Sequence, residues 1–511
     1  MVQKDSNNKL IAKNTIFLYG RTLLLLCLSL YTSRVALQAL GVENYGIINI
    51  VSGFVSMFAL LNGSLTSACQ RFITFELGKD GGDVRKVFSA SFFIHLVLAI
   101  IIVLIAETFG LYFVNHKLNL PAGSLGAVQW LFQCSIIAFV LNLINIPYNA
   151  LIVAHEQMKA FAYISILEAL CKFLTVFSLL YFSDNQLVWY AIFTLLSSTL
   201  VRSVYNLYCR HNFSNDCKIE RLKDKELLKK IFNFAGWAFI GNSATLLTNQ
   251  GVNIVLNLFL GVTINAARGI TVQVEAAISN FVYSFTTALN PQITKSFASN
   301  DIKRLSSLID MGVRISFFLI ITMCIPVIIA TPEILNLWLG VYPDYTVIFI
   351  RLTLLSAIVQ AMANPLMTLI YASGNINLYQ IIVGLLVLLN LPISYILLYY
   401  GCDPKFIYVV NLLIYSMTFV VRMVYVRIKL GLNIDYIIGN LFLRLCPILI
   451  IASIISYFLY LVIMCSNSIY EIMLFALCSV IVTSGSIFLI GLKKNERSRL
   501  MGKIFKNNDA Q

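Results

Sequence analysis

Ten of the 37 Lys and Arg residues fall within or at the edge of long apolar runs: Arg21, Arg34, Arg71, Lys172, Arg202, Arg268, Arg314, Arg351, Arg422 and Arg444. A charge near the middle of a bilayer costs about 3 kcal/mol or more, so each needs a partner, a headgroup or water. Glu168–Lys172 and Asp310–Arg314 are spaced i,i+4, where side chains meet on one helix face. Arg202 and Arg422 sit near helix ends and can extend to the headgroups, and Arg71 has Glu76 in reach. Arg21, Arg34, Arg71 and Arg268 share something further: their segments are rich in Asn, Ser and Thr, and Glu275 is the one acid on those faces. The planar guanidinium fork suits phosphate or carboxylate, and amides and hydroxyls beside it suit sugars. The chemistry expected is binding of an anionic, hydroxyl-rich substrate by Arg21, Arg34, Arg71 and Arg268 with Asn249 and Asn253. Glu275 is the residue expected to couple transport to H+ or Na+, with Glu168 and Asp310 behind it.

The segments that must position these groups are amphipathic within an apolar chain. Asn49, Ser52, Ser56, Gly63, Ser67 and Gln70/Arg71 recur at helical steps and form one stripe. Asn242, Thr245, Asn249 and Asn253 line one face of a later segment, and Arg268, Glu275, Ser279, Thr286 and Asn290 line one face of the next. Arg21 shares an arc with Asn14, Thr22, Ser29, Thr32 and Ser33, whereas Arg34 lies off that arc near the outer end. Helix packing through small residues explains the Gly and Ser positions. It does not explain four arginines, for which a wet, cationic cavity between two halves of the molecule is the expectation.

The whole chain supports this setting. Its 511 residues are 59% hydrophobic and 12% charged, with a mean hydropathy of +0.83. Apolar runs long enough to cross a bilayer recur throughout, in unbroken blocks rather than the alternation of a barrel. The fold class expected is an all-α polytopic membrane protein of about 14 transmembrane helices. Spans 1, 2, 7, 8 and 11 lie near 14–40, 46–76, 232–260, 267–297 and 377–400, with a turn at Gly41–Tyr45 between the first two. DVRKV (83–87) returns as DIKRL (301–305) and IPYNALIVA (146–154) as NPLMTLIYA (364–372), both displaced by 218 residues. VRSVY (201–205) returns as VRMVY (421–425), displaced by 220. Two six-helix lobes related by a parallel repeat are therefore expected, at 1–210 and 231–430. A cytoplasmic amphipathic linker at 211–230 joins them, and 431–511 holds two extra spans and a basic tail. Pro147 and Pro365 occupy equivalent places in the repeat, where matched kinks are expected.

Charge sets orientation and excludes other functions. Lys and Arg between spans gather on one side, with Lys117 and Lys405 on the other, so both termini are expected in the cytoplasm. The net charge of +14 is thereby a topology signal and not a nucleic-acid surface. The eleven cysteines sit singly and read as packing residues, with no metal site. The outer loops, at 114–123 and 331–344, are short for a polymerase or glycosyltransferase. The four histidines are scattered, and no HExxH, P-loop or paired-carboxylate motif appears, so no enzyme is expected. His155 reads as a loop residue.

SRVALQALGVENYGI (33–47), SACQRF (67–72) and IPYNALIVAHEQMKAFAYISILE (146–168) resemble the bacterial polysaccharide transporter family. These are O-antigen and capsule flippases of the multidrug/oligosaccharidyl-lipid/polysaccharide exporter superfamily. The resemblance implies a multi-pass protein of the bacterial inner membrane. Its cargo would be a polyprenyl-diphosphate-linked oligosaccharide, moved from the inner to the outer leaflet. It also implies contacts with membrane lipids, and with polymerase and chain-length proteins of the same lipopolysaccharide or capsule pathway. An ion-coupled drug or metabolite exporter is the alternative, disfavoured for cationic drugs by the arginines.

Overall fold

In a computed structural model of the chain, residues 2–116, 125–182, 185–220, 224–260, 262–432, 439, 441–464, 468–492 and 496–497 are described, some inside helices by their backbone alone. Every regular element among them is helical. In chain order they are α1 (Val2–Gly78), α2 (Val84–Ile105), α3 (Leu111–His116), α4 (Leu125–Ala154), α5 (Met158–Ser178), α6 (Gln186–Asn212), α7 (Lys225–Leu260) and α8 (Val262–Ala298). There follow α9 (Ile302–Ile329), α10 (Thr331–Leu339), α11 (Thr346–Ser373), α12 (Asn377–Leu388), α13 (Asn390–Tyr399), α14 (Lys405–Leu430), α15 (Cys446–Ile463) and α16 (Ile469–Ser486). Ten stretches of the described residues are long and apolar enough to cross a membrane. The expected spans at 232–260 and 267–297 form α7 and α8, and the first two expected spans lie in α1.

The helices turn their most apolar side outward. On α2, Val97, Ile100, Ile101 and Leu104 are exposed at steps i, i+3, i+4 and i+7, while Ser91, His95 and Ala99 are buried. A surrounding hydrocarbon solvent is the setting in which that inverted pattern is stable, with small and polar residues packing helix to helix. The last pair repeats it: Ile450, Ile454, Phe458 and Leu461 of α15 are exposed, and Ala452 and Ser456 are fully buried. The hydroxyl of Ser479 on α16 donates to Ser456 Oγ at 2.9 Å across that interface.

By contacts the residues fall into two compact units. The first comprises 1–243, 287–302 and 371–380; the second comprises 244–286, 303–370 and 381–511. This partition does not follow the repeat, because three pieces of the second lobe, 231–243, 287–302 and 371–380, pack into the first unit. In the first unit, Val35, Ile47 and Val51 of α1 share an apolar cluster with Val128 and Phe132 of α4 and Leu179 after α5. In the second unit, Val252 and Leu256 of α7 cluster with Ala267 of α8, Phe349 of α11 and Tyr408 of α14.

Four local expectations are corrected. The backbone is helical through Gly41–Tyr45, where a turn was expected; no proline interrupts α1, so no amide donor is missing there. Straight, its 77 residues would reach about 115 Å. Yet Leu18 packs with Val153 of α4 and Cys69 lies 4.0 Å from His95 of α2. Phe88 of α2 meets Tyr148 of α4 edge-on at 5.1 Å, so the two arms are close and α1 bends between them. Among its described residues the linker holds no separate amphipathic helix: the Asp224 carboxylate accepts the Leu227 N–H at 3.0 Å, and Leu227, Leu228 and Ile231 form the first turns of α7. Residues 221–223 lie outside the described residues. The outer segment 331–344 contains α10, started by Pro332 in its first turn. The span at 377–400 is divided at Leu389, since Pro392 has no N–H for the Leu388 carbonyl. Pro147 and Pro365 both lie inside helices, α4 and α11.

Candidate substrate-binding and coupling site

In the first unit, Arg21 is half-buried on α1, with its guanidinium 4.7 Å from the centre of the Phe161 ring on α5. A cation over an aromatic face is held by the ring's quadrupole. Arg21 and Glu168 are both within electrostatic reach of Tyr205 on α6, whose hydroxyl accepts the Asn149 amide at 3.0 Å. The Glu168 carboxylate accepts Lys172 Nζ at 2.6 Å, so its charge is already matched. The Arg34 side chain lies outside the described residues.

Arg71 stands apart. It donates to the Ala372 carbonyl at 3.0 Å and lies 4.4 Å and 4.6 Å from the ring centres of Phe72 and Phe75. Gly374, with φ +77°, comes so close that a Cβ there would sit 2.4 Å from the Arg71 Nη2. Only glycine allows this approach. Arg71 is thus engaged with backbone and rings, and the structure does not gather it with Arg21.

In the second unit, α7 and α8 bring Arg268, Asn249 and Glu275 together. Arg268 Nη2 donates to the Asn249 carbonyl at 3.1 Å, while its buried Nε has no hydrogen-bond partner. Glu275 is within electrostatic reach of Arg268, beyond ion-pair distance, and both act on Tyr408 and Tyr415. Asn253, one turn beyond Asn249, donates to Gln250 at 3.2 Å. Asp310 belongs elsewhere: on α9 it is buried and accepts Arg314 Nε at 3.2 Å. Arg314 also binds Glu496 through both of its terminal nitrogens, at 3.0 and 2.8 Å.

Other charged positions resolve into backbone contacts. Arg351 donates to the Ile328 and Ile329 carbonyls at 2.9 and 3.3 Å, neutralising the carboxyl end of α9. Arg202, expected to extend to headgroups, instead donates to the Ile144 carbonyl at 2.8 Å with its guanidinium over Tyr148.

Sequence reasoning missed one cluster altogether. Glu156, in the turn between α4 and α5, has φ +61° and is 7% exposed. Its carboxylate accepts Lys295 at 2.7 Å and Gln292, both on α8, and its carbonyl accepts Asn14 at 3.1 Å. Next to it, His155 stacks on Phe213 and pairs with Asp216 at 3.0 Å. Burial outweighs that carboxylate and holds the His155 imidazole below its ordinary range. The signal available was a pair of polar side chains, Asn14 and Gln292, that are buried and so need partners.

Comparison with known proteins bears on what these groups serve. A family model described as "Polysaccharide biosynthesis protein" matches residues 11–297, more than half of the chain. The chain is 20% identical over 328 residues to the "Uncharacterized membrane protein EpsK" of Bacillus subtilis (strain 168), and the match spans 64% of each protein. Among solved structures, a MATE in complex with MaL6 aligns with a TM-score of 0.70 at 12% identity, over 82% of this chain and 96% of that one. An outward-facing multidrug resistance MATE family transporter of the MOP superfamily aligns at 0.69, with 12% identity and the same coverage. A MOP superfamily transporter from Pyrococcus furiosus, titled for the reverse polarity of its binding pocket, aligns at 0.67 with 12% identity over 82% and 96%. The fold is therefore that of these transporters. With the family match over 11–297, the chain belongs to the polysaccharide biosynthesis protein family.

Proposed function

We propose that this protein is a flippase for an undecaprenyl-diphosphate-linked oligosaccharide, an O-antigen, capsule or exopolysaccharide unit. It moves its cargo from the inner to the outer leaflet of the bacterial cytoplasmic membrane by alternating access through a cationic cavity. The observation that carries the reading is the joint one: a polysaccharide biosynthesis family in a transporter's fold. A transporter needed for glycan synthesis has to move an intermediate that cannot cross unaided, and the diphosphate with its sugars is such an intermediate.

Arg21 and Arg268 are the residues that hold the diphosphate or acidic sugars, with Asn249 and Asn253 beside the second. Arg34 and Arg71 complete the expected set, Arg71 with a smaller share because its fork is engaged by Ala372. Glu275, half-buried and near Arg268, is the coupling group for H+ or Na+. Glu168 and Asp310 already hold cationic partners, which weakens both for that role. The repeats at 1–210 and 231–430 act as the moving lobes, both termini are cytoplasmic, and polymerase and chain-length proteins receive the product.

Deleting the gene and analysing lipid-linked sugars tests the reading. The expected result is a complete lipid-linked oligosaccharide held on the cytoplasmic leaflet, with surface glycan lost. A normal surface glycan in the deletion strain overturns it. The fold likeness to multidrug transporters favours one alternative, an ion-coupled exporter, and binding of a cationic dye to the purified protein would support that instead.

A further inference from the structure

We propose that a small cavity inside the first unit, enclosed by α1, α4, α5 and α6, binds one neutral sugar ring of the cargo. This would be a recognition site separate from the arginines, and the proposal rests on the transporter reading above. The cavity measures about 250 Å³. That is room for about eight waters, at roughly 30 Å³ each, and is less than the 300–1,000 Å³ or so of a drug-sized site. A polyprenyl tail or a run of sugars does not fit, whereas a single ring does.

Two helices each turn a polar face to it. From α5 come Glu168, Lys172 and Thr175, at steps i, i+4 and i+7. From α6 come Tyr190, Thr194, Ser197 and Ser198, at steps i, i+4, i+7 and i+8. Thr32 of α1 and Asn142 of α4 close the ring, and Val176, Val201 and the carbons of the polar side chains make most of the lining surface apolar, as the faces of a sugar ring require.

The donors and acceptors are set for hydroxyls. Thr32 and Thr175 donate their protons to backbone carbonyls one turn back, at 2.6 and 2.9 Å, so toward other hydroxyls each oxygen acts as an acceptor. Thr175 and Ser197 oxygens lie 3.0 Å apart, the spacing of a chain of hydroxyls that a sugar can extend. Asn142 supplies both donors and an acceptor, and Tyr190 a ring for the apolar face of a sugar.

Charge decides what does not bind. Glu168 and Lys172 cancel at 2.6 Å, so the cavity has no excess positive charge with which to select a diphosphate. A metal cation would have to displace an ammonium already seated on the one carboxylate of the lining. What remains is the uncharged, hydroxyl-bearing part of the cargo.

The test uses the purified full chain in detergent, with methyl α-glucopyranoside and methyl N-acetyl-α-glucosaminide as probes, read by saturation-transfer NMR. Transfer to ring protons of at least one probe is expected in the native chain. Affinity should fall about tenfold or more in Ser197→Leu, which fills the cavity, and in Glu168→Gln, which removes a charged acceptor at constant shape. Glu168→Gln carries the test alone if Ser197→Leu does not fold. Absence of transfer in the native chain, undiminished affinity in a folded variant, or displacement by sodium but not by choline at equal ionic strength each overturns the proposal. None of these touches the flippase reading, which falls instead if the deletion strain keeps its surface glycan.

Discussion

Arg314 and Arg268 lie in the same unit, on helices α9 and α8, and are treated in opposite ways. Arg314 is 4% exposed and meets two carboxylates, Asp310 on its own helix and Glu496 after the last one. Arg268 is half-buried and has neutral neighbours, the Asn249 carbonyl at 3.1 Å and the Tyr408 hydroxyl, with a buried Nε unengaged and Glu275 beyond ion-pair distance. A guanidinium taken out of water is stable when its donors and charge are both matched. Arg314 satisfies that requirement within the protein and so belongs to the framework. Arg268 leaves it open, and an incoming anion is what would complete it.

Removing the matched arginine should have the largest effect on stability. Arg314→Ala strands a buried Asp310 and half-exposed Glu496, and should lower stability by about 3–5 kcal/mol, read as reduced folded yield and melting temperature in detergent. The triple variant Arg314→Met, Asp310→Asn, Glu496→Gln removes every charge and should recover most of that loss. If Arg314→Ala melts like the native chain, the contrast with Arg268 is void. Arg268→Ala and Arg21→Ala should do the reverse. Each should abolish surface glycan while stability shifts by less than about 1 kcal/mol. Lysine at either site should restore export in part if charge alone matters, and scarcely if the bidentate fork does.

Glu156 offers a case between the two, since its acid is buried but its Lys295 partner is partly open. Glu156→Gln should cost about 1–3 kcal/mol in thermal unfolding, and an unchanged melting temperature would remove the pair from the framework. The smallest effect belongs to His155. Its folded value is depressed by burial, so the unfolded chain takes up the proton first as pH falls. The stability it contributes is present above the ordinary histidine value of about 6.5 and declines as pH drops toward the folded value. Melting should therefore be slightly lower at about pH 5.5 than at about pH 7.5, by a margin that shrinks in His155→Asn.

Periodicity made much of this legible. The apolar blocks, the polar faces of α7 and α8, and the i,i+4 pairs all leave a mark at fixed spacing in the sequence. Contacts with backbone do not. The carbonyls that hold Arg71, Arg202 and Arg351 belong to residues of any type, so no pattern announces them. The linker misled for a related reason: an amphipathic stretch looks the same whether it forms a separate surface helix or the first turns of a long one. The Glu156 cluster joins Asn14 to a residue 142 positions away, and a single polar side chain does not name its partner. The cavity of α5 and α6 was half visible, since Glu168 and Lys172 were recognised as a pair while the hydroxyl face on α6 was not.

The Arg314–Glu496 contact also orders events in time. A ribosome adding roughly 5–20 residues per second delivers Glu496 about 10–35 s after Arg314, because 182 residues separate them. Asp310, one turn earlier on the same helix, is on hand from the start as an escort through insertion. The second carboxylate arrives only after α16 has been made, so the pairing of Arg314 is completed late. Until Glu496 arrives, the buried guanidinium rests on the Asp310 carboxylate alone, and the last helix pair closes the account of a charge placed on α9.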